Sequence, residues 1–366
     1  MAVSLVALVG CARPVAPPPS PSPRAEAPAA PTRSVAMRPA DVREFAHGIA
    51  YSHDWSSRGA NGYGSDADRA QLDRLKQHGV SWIAVMPYAV ADGAAARSIM
   101  TTRGWVSGER DALVERTIRN ARARGLRVVL KPHLWVRDSW PGALGSDPAI
   151  ARELVRSWAT VIDHYATMAE RTGADALAIG TEMDQLAVNA PDEWRAIIAR
   201  SRAKFHGIIT YCSNWDSYER VSFWSALDVI SIQDYAPRAD GAVNEARLAA
   251  LAERTRAVVG RYAAFARRSG RPLWLTEVGF RCDDDALAHP WRWPTAEDRC
   301  DDCALQARAF DATLSAIAAA PEVRGIFAWK WFTSGGAEDE GRCGFALTDE
   351  QTRGVLRRWY RESPLR

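Results

Sequence analysis

Two glutamates, Glu182 and Glu277, each end an apolar run: Ala178-Ile179-Gly180-Thr181-Glu182-Met183 and Leu273-Trp274-Leu275-Thr276-Glu277-Val278-Gly279-Phe280. A carboxylate among apolar neighbours is costly to bury unless it is hydrogen-bonded or paired, so two such positions need a reason. The linkage between two sugars breaks when one carboxyl protonates the departing oxygen and a second attacks or stabilises the anomeric carbon, and two glutamates suffice for this. The competing reading of either residue is a salt bridge to Arg or Lys at a rim. That reading weakens when two glutamates stand at equivalent places.

Other chemistries lack their residues. The seven histidines are scattered, and His47 and His53 are too far apart to form the H-x-H pair of a metal-dependent barrel. No G-x-S-x-G elbow occurs, so a nucleophilic serine has no support, and neither a catalytic metal nor a cofactor is implied. The 47 basic and 44 acidic residues leave a net charge of +3 without a long basic run, which gives nucleic acid no footprint. Fifteen tryptophans are a heavy load, serving either as core filler or as flat platforms for sugar rings.

The elements that must position the glutamates follow from periodicity. Eight short apolar runs recur, at 45–51, 80–87, 126–132, 174–182, 207–212, 227–235, 272–278 and 324–331, each spaced from the next by helical pattern or loop. Eight is the number a closed (β/α)8 barrel requires. Leu154, Trp158, Ile162, Tyr165 and Met168 form one helical stripe, and further helices are expected at 66–78, 109–124, 192–204, 245–268, 302–319 and 350–361, with a stunted one near 218–225. Gly79, Gly125, Gly173, Gly270 and Gly325 precede strands, as helix-terminating glycines do. A doubly wound open sheet is the runner-up, but no G-x-G-x-x-G turn follows the first strand. In a barrel, working residues sit at the C-terminal strand ends, and strands four and seven face one another across the mouth. Glutamates there could bring their carboxyls to about 5 Å, the separation for double displacement with retention.

Three domains are expected in the chain. Residues 1–11 end Leu8-Val9-Gly10-Cys11, which resembles a bacterial lipobox with Cys11 as the lipidated residue, although no Lys or Arg precedes the apolar run. Residues 12–40 are rich in proline and form an extended spacer. Residues 41–366 are the catalytic barrel. The expectation is an exported monomer, a cell-envelope lipoprotein or extracellular protein that meets the membrane only through its lipid.

At this point the strings Lys131-Pro132-His133, Ile179-Gly180-Thr181-Glu182 and Leu275-Thr276-Glu277-Val278-Gly279 resemble clan A of the glycoside hydrolases, and within it family 113, over residues 45–335. The resemblance implies a β-1,4-mannanase-like enzyme acting on a polysaccharide or oligosaccharide, with Glu182 as acid/base and Glu277 as nucleophile. It also implies that Tyr235 donates a hydrogen bond to the nucleophile, although a core tyrosine is the competing reading. Trp329 would then lie as a floor under the sugar, and Lys131 and His133 would donate to sugar hydroxyls. For Lys131 and His133 the alternative is pairing with Glu182 or Asp184. Thr181 stands where many clan members carry an asparagine that holds the sugar 2-hydroxyl, and Asn214 is a candidate replacement. One or two of Trp55, Trp135 and Trp215 are expected to line neighbouring subsites. A glycan-binding barrel without turnover, and a transglycosylase using the same intermediate, are the alternatives.

Cys282, Cys300, Cys303 and Cys343 fall in the two loops after strands seven and eight. Their C-x2-C spacing could hold zinc, but an oxidising compartment favours two disulfides, with Cys282 bonded to Cys300 or Cys303 and Cys343 to the other. Either arrangement pins the loop 281–299, with Trp291 and Trp293, beside the mouth. Cys212 is expected to be a free buried thiol.

Overall fold

The computed structural model describes residues 40–55, 60–101, 110–295, 298, 300, 303–337, 340, 341, 343–362 and 365. The expected signal segment, Cys11 and nearly all of the proline-rich spacer lie outside them.

Eight parallel strands close into a barrel: β1 (Ala46–Ser52), β2 (Trp82–Val85), β3 (Arg127–Leu130), β4 (Ala176–Thr181), β5 (Ile208–Asn214), β6 (Ile230–Asp234), β7 (Leu273–Val278) and β8 (Val323–Phe332). Each strand pairs with its sequence neighbour, and β8 returns to β1 with Ala46 opposite Gly325, so the barrel itself has no open edge. This excludes the open doubly wound layout. Helices α1 (Asp66–Gln77), α2 (Asp111–Ala123), α3 (Pro148–Thr172), α4 (Asp184–Asn189), α5 (Pro191–Arg202), α6 (Glu245–Ser269), α7 (Ala304–Ala318) and α8 (Glu350–Arg357) lie between and after the strands. The expected stunted helix after β5 is two 3-10 turns, Tyr218–Arg220 and Trp224–Ala226.

Alternation along the strands divides two cores. Ile49, Ile83, Val128, Leu177, Ile209 and Leu275 pack outward against the helices, with Trp158 of α3 and Trp194 of α5 among them. Ala46, Ala50, Ala84, Val129, Ala176, Ala178 and Cys212 face inward around Trp82, Trp274 and Phe327. Those three rings meet at centroid distances of 5.2, 5.9 and 6.5 Å and plug the barrel, so it is a filled core and not a pore. Above the plug, Thr210 donates to Ser231 at 2.7 Å, the first polar layer on the way to the mouth.

Four of the five expected helix-ending glycines have positive φ: Gly79, Gly125, Gly173 and Gly270. Gly325 does not play that part. It lies within β8, where a Cβ would stand 2.8 Å from the Ala46 Cβ and 2.9 Å from the Trp274 ring, so its role is close packing between strands. The sequence also gave no sign of a small sheet at the mouth. Residues Tyr88–Ala91 pair in parallel with His133–Val136 and antiparallel with Ile99–Thr101. These segments are only three or four residues long, too short for a clear alternation signal.

Candidate active site

Two local irregularities bring the glutamates to the mouth. On β7, Leu273 and Leu275 face the helices and Trp274 faces the barrel, so simple alternation would turn Glu277 outward. The pairing with β6 shifts between Leu275 and Glu277, which places Glu277 opposite Gln233. A bulge of this kind re-aims one side chain. On β4 the register with β5 shifts between Ala178 and Thr181, and Glu182 then takes a left-handed φ of 56°. That conformation costs an L residue about 1–2 kcal/mol, and the Glu182 N–H is tied to the Cys212 carbonyl at 2.9 Å. Gly180 in the same string admits no side chain, since a Cβ would lie 2.6 Å from the Trp194 ring.

Glu277 is the centre of a buried network. Lys131, fully buried at the end of β3, ion-pairs with Glu277 Oε1 and donates to Gln233 Oε1 at 2.7 Å. Tyr235 donates its phenol hydrogen to Glu277 Oε2 at 2.8 Å. His133 Nε2 lies 3.7 Å from Glu277 Oε1, and its ring stacks against Trp329 at 6.1 Å. Burial, followed by the charges of Lys131 and Lys330, holds the His133 imidazole well below its ordinary range, so it is neutral. Lys131 therefore pairs with Glu277, not with Glu182 or Asp184.

Glu182 has the opposite surroundings. Burial and then the charge of Glu277 push its carboxyl up to about 8, with Lys131 and the Gln233 amide acting against the shift. At neutral pH Glu182 carries a proton. Two carboxyls of one cavity thus have different surroundings, one held by a cation and a phenol, the other shifted toward its protonated form.

Asn214 ends β5, and its Nδ2 donates to Asp184 Oδ2 at 3.1 Å, while Ser217 donates to Asp184 Oδ1 at 2.8 Å. Asn214 also lines the cavity. The cavity has a volume of about 600 Å³ and is bordered by both glutamates, His133, Asn214, Tyr235 and an aromatic wall. Of the sequence candidates, Trp215 and Trp329 lie in that wall. Trp135 does not line the cavity: it is the outward residue of its short strand, 51% exposed. Trp55 also stands outside, edge-on to Tyr88 at 5.8 Å. Lys131 lies behind Glu277 and reaches the cavity only through it.

Sequence reasoning missed Gln233, Tyr88, Trp140 and Phe345. Gln233 carried a signal, because a buried amide two residues before Tyr235 on β6 has the same inward parity. Trp140 and Phe345 sit in loops, where no periodicity points inward.

The cysteine connectivity left open by the sequence is Cys282–Cys303 and Cys300–Cys343, with Cys212 free and buried. The first bond closes the loop after β7, and the second joins it to the loop after β8. Within the clamped loop, buried Arg281 pairs with Asp283, and Arg292 bonds Asp298 at 2.9 Å. Trp291 from this loop stacks on Trp215 at 5.8 Å with 22° between the planes. Among the described residues, no group of three or more His, Cys, Asp and Glu side chains is placed to hold a metal, and no helix is long and apolar enough to cross a membrane.

The architecture has close solved counterparts. A β-1,4-mannanase of Glycoside Hydrolase Family 113, solved as a complex, superposes with a TM-score of 0.74 at 22% identity, covering 87% of this chain and 99% of the other. The family 113 β-mannanase AaManA from Alicyclobacillus acidocaldarius, in complex with ManMIm, gives 0.73 at 25% identity over 88% and 98%. A β-glucuronidase from Faecalibacterium prausnitzii shares the barrel at 0.60 and 12% identity, covering 88% of this chain and 49% of that one. No curated protein matches the chain. The sequence model of Glycoside Hydrolase Family 113 matches residues 52–343, about four fifths of the 366 residues. That span contains all eight of the barrel's strands except the first six residues of β1, together with both glutamates and the clamped loop, and the chain is therefore a glycoside hydrolase belonging to family 113.

Proposed function

We propose that the enzyme cleaves β-1,4-linked mannan or manno-oligosaccharides with retention of configuration, using Glu277 as nucleophile and Glu182 as acid/base. The observation that carries this reading is the contrast between the two glutamates: Glu277 held by Lys131 and Tyr235, Glu182 pushed up to about 8 beside the same cavity.

In the first step Glu182 gives its proton to the leaving glycosidic oxygen while a Glu277 oxygen attacks the anomeric carbon from the opposite face. A covalent glycosyl-enzyme forms and the first sugar fragment departs. Glu182, now ionised, takes a proton from water, whose oxygen displaces Glu277 and restores the original configuration. The Lys131 and Tyr235 contacts orient the attacking carboxylate and receive it again as leaving group. Trp329 offers a flat face to the sugar's C–H surface, and Asn214 and neutral His133 offer hydrogen-bond partners to hydroxyls, with Trp215 farther along the wall. An acceptor sugar in place of water would make the same intermediate a transglycosylation.

Mannan is favoured because the family 113 structures that superpose are named as a β-1,4-mannanase and a β-mannanase. Release of reducing ends from a panel of mannans and glucans tests it: mannan should be the best substrate, and preference for a glucan would overturn the sugar assignment. We also propose export with a lipid on Cys11, supported by the lipobox-like string and by two disulfides of the kind that persist in oxidising compartments. Mass spectrometry of the mature N-terminus decides it, a diacylglyceryl cysteine being the expected result and an unmodified Cys11 the contrary one.

A further inference from the structure

Behind the aromatic wall lies an ion pair that does not border the cavity. Lys330 follows Trp329 in β8, and its buried ammonium pairs with the buried carboxylate of Glu340. The ammonium stands 4.8 Å from the ring centroids of both Trp293 and Trp329, and 4.9 Å from Phe332. Glu340 also accepts the Phe345 N–H at 2.9 Å, and the Lys330 backbone exchanges bonds with Phe345 and Leu347. Phe345 meets Trp293 edge-on at 5.8 Å and Tyr235 edge-on at 6.2 Å.

Trp293 is 57% exposed, so burial alone does not fix it in the wall. Its ring is fixed instead by a cation on one side and the Phe345 edge on another. That cation would be unstable in this site without Glu340. The Cys300–Cys343 bond ties the segment carrying Trp293 to the one carrying Glu340. Neither Lys330 nor Glu340 borders the cavity, whereas Trp293, Trp329 and Phe345 do.

We propose that Lys330 and Glu340 are positioning residues that hold Trp293 as a wall of the cavity and thereby set how tightly the enzyme binds a sugar chain. The proposal rests on the reading of the cavity as a glycan site, in that its kinetic arm needs a chain substrate. The cation and the ring form a contact whose loss is expected to weaken binding about tenfold. The chemical step, which belongs to Glu182 and Glu277, should be little touched.

The test uses the double variant Lys330→Met/Glu340→Gln, which removes both charges together and so leaves neither buried alone. With mannohexaose as substrate, KM should rise about tenfold while kcat stays within about twofold, and Lys330→Arg should lie between the two proteins. In parallel, 5-fluorotryptophan-labelled protein, with the Trp293 signal assigned by Trp293→Phe, should show one sharp resonance in the wild type and a broadened or divided one in the double variant. An unchanged Trp293 resonance, or a fall in kcat at unchanged KM, would overturn the positioning role. If the wild type does not cleave mannohexaose, the sugar assignment fails, and the fluorine spectrum alone still decides the role of the pair.

Discussion

The Tyr235 hydroxyl donates to Glu277 Oε2 at 2.8 Å, while the other oxygen of the same carboxylate faces Lys131. Both oxygens of the proposed nucleophile are thereby engaged before substrate arrives, and the proposed attack requires one of these contacts to stretch. A hydrogen bond to a charged group contributes about 1.5–3 kcal/mol. Tyr235→Phe should therefore lower kcat by about 10- to 100-fold with little change in KM. Steady-state kinetics on mannohexaose check this, and a change confined to KM would mean that Tyr235 serves binding instead.

The high affinity of Glu182 for its proton gives the rate a basic limb. With Glu182 as the proposed acid of the first step, kcat/KM should fall as pH rises through about 8. Lys131 lowers this value and Glu277 raises it, so Lys131→Met should move the limb upward. In Glu277→Gln, carbon-13 NMR of the Glu182 carboxyl should show titration at lower pH than in the wild type. Burial is the larger cause, so the value should stay above that of a free glutamate.

Glu182 also couples pH to stability. Its folded-state affinity for the proton exceeds that of the unfolded chain, so its contribution to stability is complete below about 4.5 and is lost as pH rises toward about 8. Glu182→Gln keeps the shape without the titration. Thermal unfolding of the two proteins should show the variant gaining on the wild type between pH 5 and pH 9, in about that window. A constant difference across it would contradict the linkage.

Lys131 has structural weight beside the part proposed for it in catalysis. It is fully buried, and its loss would leave the largely buried Glu277 carboxylate without its cation. Breaking one half of a buried pair costs about 3–5 kcal/mol. Lys131→Met should lower the denaturant midpoint accordingly and reduce kcat by about 10²–10³. A variant as stable as the wild type would mean that water replaces the ammonium.

The Cys300–Cys343 bond closes a 43-residue separation between two loops of the mouth. Its removal by Cys300→Ser/Cys343→Ser should cost about 2–4 kcal/mol and raise KM for long oligosaccharides, since Trp293 is bracketed by the joined segments. Calorimetry and kinetics on the same sample measure both effects.

The barrel was legible because its signals are periodic. All eight apolar runs became strands, with boundaries shifted by at most three residues, and the long stripe from Leu154 to Met168 became the buried face of α3. Glu182, Glu277, Asn214 and Tyr235 were legible as cavity residues because they lie at or just beyond the C-terminal ends of strands, where a barrel opens its mouth. What escaped sequence reading depends on local geometry. The bulge that turns Glu277 inward breaks the alternation instead of following it. Trp135 looked equivalent to Trp215, but the short strand Tyr88–Ala91 beside it settles which of its faces looks outward. The cysteine partners and the Lys330–Glu340 pair join segments that spacing alone does not bring together.

The central claim, that Glu277 forms the covalent intermediate, is tested most directly by trapping it. A 2-deoxy-2-fluoro β-manno-oligosaccharyl fluoride forms the glycosyl-enzyme quickly and releases it slowly, and peptide mass spectrometry then locates the sugar. The expected result is one glycosyl group per chain, on Glu277. A label on any other side chain, Glu182 included, or hydrolysis of the reagent with inversion and no label at all, would contradict it.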